Sequence, residues 1–144
     1  MLKPQDPNDV GTTISRIWTF VFFVMIFRDL HEMSTAQTIN GILNGRFEGN
    51  EVTDAGLVLG GAVLVVLLLT SLLSTLLQPT VVRRLNLVVA PLTLLGSFYL
   101  LPNDPDDYLL AGVTATALLT IFVICLYWTP APARDSIQKV RHAV

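Results

Sequence analysis

Along this chain the apolar positions gather into long blocks and do not recur at the three- and four-residue spacing of a water-soluble amphipathic helix. Residues 55–77 (AGLVLGGAVLVVLLLTSLLSTLL) and 108–128 (YLLAGVTATALLTIFVICLYW) contain no charge. Each supplies the roughly 20 residues needed to cross a hydrocarbon core of about 30 Å. Residues 85–101 are fewer and include Asn86 and Pro91, but a membrane helix tolerates proline because neighbouring groups satisfy the freed carbonyl. That block is predicted as a kinked span. The first block has a short apolar centre, residues 17–27, between Arg16 and Arg28, and arginines that snorkel to the headgroups extend its helix to about residues 12–30. A cleavable signal peptide is the competing interpretation, yet Arg28-Asp29-Leu30-His31-Glu32 offers no small-x-small cleavage site after the apolar run. The pattern predicts an all-α fold in one domain: a bundle of four transmembrane helices at about residues 12–30, 55–77, 85–101 and 108–128.

The connections have their own patterns. Residues 33–45 (MSTAQTINGILNG) predict a short helix in the first loop that lies on the outer interface or lids the bundle: Ser34 with Gln37 forms a capping box, Ala36, Ile39 and Leu43 share a stripe, and Gly45 stops it. A polar turn region from Arg46 to Glu51 follows. The loop before the last span carries Asp104, Asp106 and Asp107 around Pro105. A calcium loop would need a longer, glycine-turned spacing and a distal glutamate. Helix capping fits better, with Asp104 as N-cap, Pro105 at the first helical position, and Asp106 and Asp107 against the positive end of the helix. Residues 133–144 (ARDSIQKVRHAV) place Ile137, Val140 and Val144 on one face, which suits a short amphipathic tail on an anionic leaflet.

Composition reinforces the membrane assignment. Hydrophobic residues make up 52% of the 144 and charged residues 14%, against about 25% charged in soluble domains. The net charge of −2, without a basic run, sets nucleic acid aside. Cys125 is the single cysteine, so no intramolecular disulfide or paired-thiol site forms. Lysines and arginines set the orientation. The first residues, the loop between the second and third spans, and the tail carry Lys3, Arg16, Arg83, Arg84, Arg134, Lys139 and Arg141, whereas the other side has Arg28 and Arg46. Seven against two places both termini in the cytoplasm. Trp18, Tyr127 and Trp128 then fall at the inner interface, and Tyr99 and Tyr108 at the outer one.

Chemistry is sparse. Arg28, Asp29, His31 and Glu32 cluster where the first span ends. Arg28 and Glu32, four apart, can pair as an interfacial salt bridge. Alternatively, the cluster guards an outward vestibule that binds a polar ligand, lipid or ion. One histidine and two acids are too few for a metal site, and His31 and His142 cannot bracket a haem across a bundle. The last three blocks contain no ionisable side chain of Asp, Glu, Lys, Arg or His, which argues against a proton-coupled pump. They do carry small and hydroxylated residues at helical spacing: Gly56 and Gly60, Thr70/Ser74 and Ser71/Thr75, then Gly112, Thr116 and Thr120. Such residues pack membrane helices within a bundle or between copies. A polar pocket lined by Ser71, Thr75, Thr116 and Thr120 is the other possibility.

Several of these features occur together in a known pattern. Phe27-Arg28-Asp29 at the end of the first span, Ile42-Leu43-Asn44-Gly45 with Gly49 and Val52-Thr53 after it, and Arg83-Arg84-Leu85-Asn86-Leu87 opening the third span resemble a family of uncharacterised bacterial four-helix integral membrane proteins. The resemblance covers about residues 17–128. It implies four spans and the bacterial cytoplasmic membrane, and no activity. Members often carry an acid and a proline in the second span, where this chain has Val65-Val66-Leu67-Leu68-Leu69. No nucleophile–base pair, phosphate-binding loop or cofactor motif is present, so the sequence favours a non-enzymatic, accessory or self-associating bundle whose partners are the bilayer and a second copy or membrane protein. Small-ligand, lipid or ion binding at the outer vestibule is the alternative, and a membrane enzyme using Asp29, His31 and Glu32 comes third.

Overall fold

The computed structural model describes residues 7–47, 50–99 and 105–130. The expected amphipathic tail (133–144), the Asp104 cap and the side chains of Tyr99 and Asp106 lie outside what is described. The described chain is helical apart from one small hairpin. It contains α1 (Pro7–Met33), α2 (Ala36–Leu43), β1 (Arg46–Phe47), β2 (Asn50–Glu51), α3 (Asp54–Leu76), α4 (Pro79–Tyr99) and α5 (Pro105–Tyr127). Among the described residues three helices are long and apolar enough to cross a membrane: α1 over Asp9–Met33, α3 over Asp54–Leu76 and α5 over Asp107–Tyr127. The third expected span is present as α4, but Arg83, Arg84, Asn86 and Pro91 lie within it, and it falls short of that degree of apolarity.

Local chemistry sets most of the boundaries. Thr53 caps α3 by accepting from the Gly56 amide at 3.1 Å, and α5 begins at Pro105, where a missing N–H costs nothing. In the first loop the cap sits one residue later than the sequence predicts. The Ser34 hydroxyl donates to the His31 carbonyl at 2.6 Å and so closes the end of α1. Thr35 therefore caps α2, accepting from the Thr38 amide at 3.2 Å, and Thr38 occupies the place the expected box gave to Gln37. Gly45 ends the segment as expected, at φ +72°, a conformation that glycine adopts without strain. Nothing in α2 is buried, and Ile39, Ile42 and Leu43 are exposed, so this helix does not lid the bundle.

Cross-helix bonds define the packing. Ser15 on α1 meets Ser71 on α3 at 3.0 Å, Arg28 late in α1 meets Asp107 early in α5, and Arg83 early in α4 meets the Cys125 carbonyl late in α5. Hence α1 runs antiparallel to α3 and α5, and α4 antiparallel to α5. The helix α1 is central. It packs along α3 on one side and α5 on the other, while α4 packs along α5 and touches α1 and α3 briefly. Among the described residues α3 and α5 share no contact.

The core is confined to one end. Its apolar members are Val10, Ile14, Trp18 and Val21 of α1, Leu67 of α3, Val82 and Ala90 of α4, and Ala117, Leu118, Ile121 and Cys125 of α5. These run from the start to just past the middle of α1 and α4, and lie in the second halves of α3 and α5. The opposite end leaves Phe23, Phe27, Leu57, Val58, Leu92, Leu95 and Leu109 exposed. That distribution suits lipid surroundings, because hydrocarbon gives apolar side chains no drive inward.

Candidate functional site

Each end of the bundle is tied by an arginine. At the end where α1 finishes, Arg28 Nε donates to Glu32 Oε1 at 3.2 Å and to Asp107 Oδ1 at 3.0 Å. The first is the four-residue pair expected from the sequence. The second corrects the expectation for Asp107. Its side chain is only 6% exposed and reaches across to α1, so its role is an interhelical ion pair more than complementing the start of α5. One cation stands between two carboxylates, half-shielded from solvent. Such charge-assisted bonds are among the stronger protein hydrogen bonds. Asp29 and His31, from the same turns of α1, are exposed, and the His31 ring stacks on Phe27 with centroids 6.2 Å apart. No group of three metal-binding side chains occurs among the described residues.

At the opposite end lies a polar network. The Trp18 indole N–H donates to Asn86 Oδ1. The Asn86 amide donates in turn to Ser74 Oγ at 3.1 Å and to the Val82 carbonyl at 2.9 Å, and Ser74 Oγ donates to the Thr70 carbonyl at 2.8 Å. Trp18 and Asn86 are fully buried, so the Trp18 indole is turned into the bundle. A buried amide must find partners because burying it unsatisfied is costly. Beside this network Ser71 contacts the hydroxyls of Ser15 and Thr19, each at 3.0 Å, and donates to the Ser15 carbonyl. No described buried polar side-chain atom lacks a partner. Arg83 donates to the last carbonyls of α5, Cys125 at 2.8 Å and Leu126 at 3.3 Å, where a cation opposes the negative helix end.

The small-residue positions divide. Of the four hydroxyls expected to line a pocket, Ser71 lies between α1 and α3. Thr75 is exposed and bonds the Leu72 carbonyl. Thr116 and Thr120 lie exposed on α5, each bonded four residues back, to Gly112 and Thr116. Since α3 and α5 do not touch, the four do not converge. Gly56, Gly60 and Gly112 are exposed as well, and a Cβ on Gly60 or Gly112 would meet nothing within 4 Å. The close backbone approach occurs elsewhere, at Gly11, where a Cβ would stand 2.6 Å from the Ser74 carbonyl oxygen. An open groove of about 540 Å³ runs between Phe20 and the α5 face bearing Tyr108, Gly112 and Thr116. It is mostly apolar, since the Thr116 hydroxyl is already bonded within its own helix.

Two arginine clasps, a hydrogen-bonded core and three helices long and apolar enough to cross a membrane describe a helical protein of membrane type. No family model, curated protein or solved structure matches the chain. The resemblance to uncharacterised bacterial four-helix proteins therefore rests on the residues that carry it.

Proposed function

We propose that the protein is a four-span integral membrane protein of the bacterial cytoplasmic membrane, with both termini in the cytoplasm, and a non-enzymatic bundle that acts by associating with a second copy or with another membrane protein. Its third span is α4, which joins α1, α3 and α5. This helix lies along α5 and follows α3 after only Leu77 and Gln78, and its Asn86 is provided for inside the bundle. The basic residues, seven against two, support the orientation.

One observation carries the association. In the first half of α3, residues 54–66, no side chain is buried, and Gly60 and Gly61 open onto empty space. Gly56 lies four residues before Gly60 on that helix, a spacing through which membrane helices approach closely. The charge cluster, by contrast, is engaged within the chain, and this weakens a ligand-binding vestibule at the end of the first span.

Cross-linking in native membranes tests the reading. A Gly60→Cys variant should give disulfide-linked dimers, or a linked partner, while Thr120→Cys on α5 gives none. Gly60→Leu should reduce the associated fraction in native mass spectrometry. A strictly monomeric chain with no co-purifying protein, or reporter fusions that place the termini on opposite sides, would overturn it.

A further inference from the structure

Among the described residues, two arginines of the helical bundle are unmatched. Arg16 on α1 and Arg84 on α4 are exposed, and neither has a hydrogen-bond or ion-pair partner among the described residues. The third arginine nearby, Arg83, is engaged with the α5 carbonyls.

Cross-helix bonds fix their depth. Ser15 meets Ser71, and Asn86 meets Trp18 and Ser74. Arg16 and Arg84 are one and two residues from these contacts, so both lie near the stretch of α3 between Ser71 and Ser74. At about 1.5 Å per residue that stretch is roughly 3 to 8 Å inside the end of α3 at Leu76. In the other direction, the 20 residues back to Asp54 cover about 30 Å, the thickness of a hydrocarbon core. Both backbones therefore sit at one edge of the hydrocarbon, and their side chains leave the bundle at that edge.

An unpaired guanidinium at this level is costly. It gains from an oxyanion that accepts two parallel N–H bonds. Taken with the membrane reading proposed above, the geometry points to Arg16 and Arg84 as binding residues for the phosphate groups of anionic phospholipids, in the leaflet where α1 and α4 begin. The charge is complementary, and lipid is what surrounds an outward side chain at that depth.

The test uses the full chain in vesicles of phosphatidylcholine mixed with phosphatidylglycerol, followed by native mass spectrometry of the retained lipid. The wild type should retain phosphatidylglycerol in preference, and Arg16→Gln and Arg84→Gln should each lower that preference about fivefold, the equivalent of about 1 kcal/mol per basic residue. Arg16→Lys with Arg84→Lys should keep part of it, and Arg46→Gln in the hairpin should leave it unchanged. Equal retention by the double glutamine variant, an equal drop with Arg46→Gln, or displacement of the lipid by inorganic phosphate would overturn the assignment. Alkaline carbonate separates the two layers of the argument. A chain released from membranes overturns the membrane reading and this inference with it, whereas a chain that stays embedded but shows no preference overturns this inference alone.

Discussion

Asn86 is the residue on which three helices depend. Its carbonyl oxygen takes the Trp18 indole proton and its amide reaches Ser74 and Val82, all out of contact with solvent. Asn86→Leu removes both functions and strands the Trp18 N–H in an apolar setting, which costs about 1 to 3 kcal/mol. The expected outcome is a lower unfolding midpoint in mixed micelles, together with a shifted Trp18 emission in a Trp128→Phe background. An unchanged midpoint would show that the network contributes nothing. This pairing was half visible in the sequence. Asn86 stood out as the only amide in the apolar blocks, but nothing along the chain placed it opposite Trp18, because the contact joins positions 68 residues apart. Asp107 failed to declare itself for a related reason. An acid beside a helix start has a sufficient local explanation, and only the third dimension shows Arg28 next to it.

Among the elements, the helices themselves were legible and their inward faces were not. The boundaries of α3 and α5 fall within a few residues of the apolar blocks, since length in lipid is fixed by bilayer thickness. Hydropathy does not say which side of each helix faces in, except in α3, where the hydroxyl stripe marks it: Thr70, Ser71 and Ser74 are buried beside Leu67. The buried stripe shows only once the structure gives it: Val10, Ile14, Trp18 and Val21 on α1, and Val82, Asn86 and Ala90 on α4, at the three- and four-residue steps of one helical face. Glycine divides in the same way. The visible spacing of Gly56 and Gly60 leads out of the bundle, while Gly11, which has no glycine partner, lies where α1 and α3 touch. Gly11→Leu should therefore force these helices apart and destabilise the fold by about 1 to 3 kcal/mol, the usual range for overpacking. It should also break the Ser15–Ser71 and Thr19–Ser71 bonds. Gly60→Leu should leave the unfolding midpoint of the dissociated chain alone. Comparable losses from both would contradict the contact pattern.

For the whole molecule, the packed core at one end and the charge cluster at the other imply uneven cohesion. Toward the start of α5 the buried described residues are Asp107 and Thr114, whereas Ala117, Leu118, Ile121 and Cys125 pack its second half. The first half of α5 is thus held to α1 in large part by Arg28. Protein segments with few buried apolar contacts open locally at less cost than the global unfolding free energy. Arg28→Gln takes the positive charge from between Glu32 and Asp107. A hydrogen bond to a charged group contributes about 1.5 to 3 kcal/mol, so the opening equilibrium near the start of α5 should rise by roughly ten- to a hundredfold. Amide hydrogen exchange in detergent micelles resolves this: residues 107–114 should exchange faster in the variant, and residues 117–127 at the wild-type rate. Glu32→Gln, which leaves the Arg28–Asp107 bond in place, should produce a smaller change at the same amides. If exchange accelerated uniformly along α5, the two ends would be a single cooperative unit, and the separation of packed core from charged clasp would not describe how this bundle holds together.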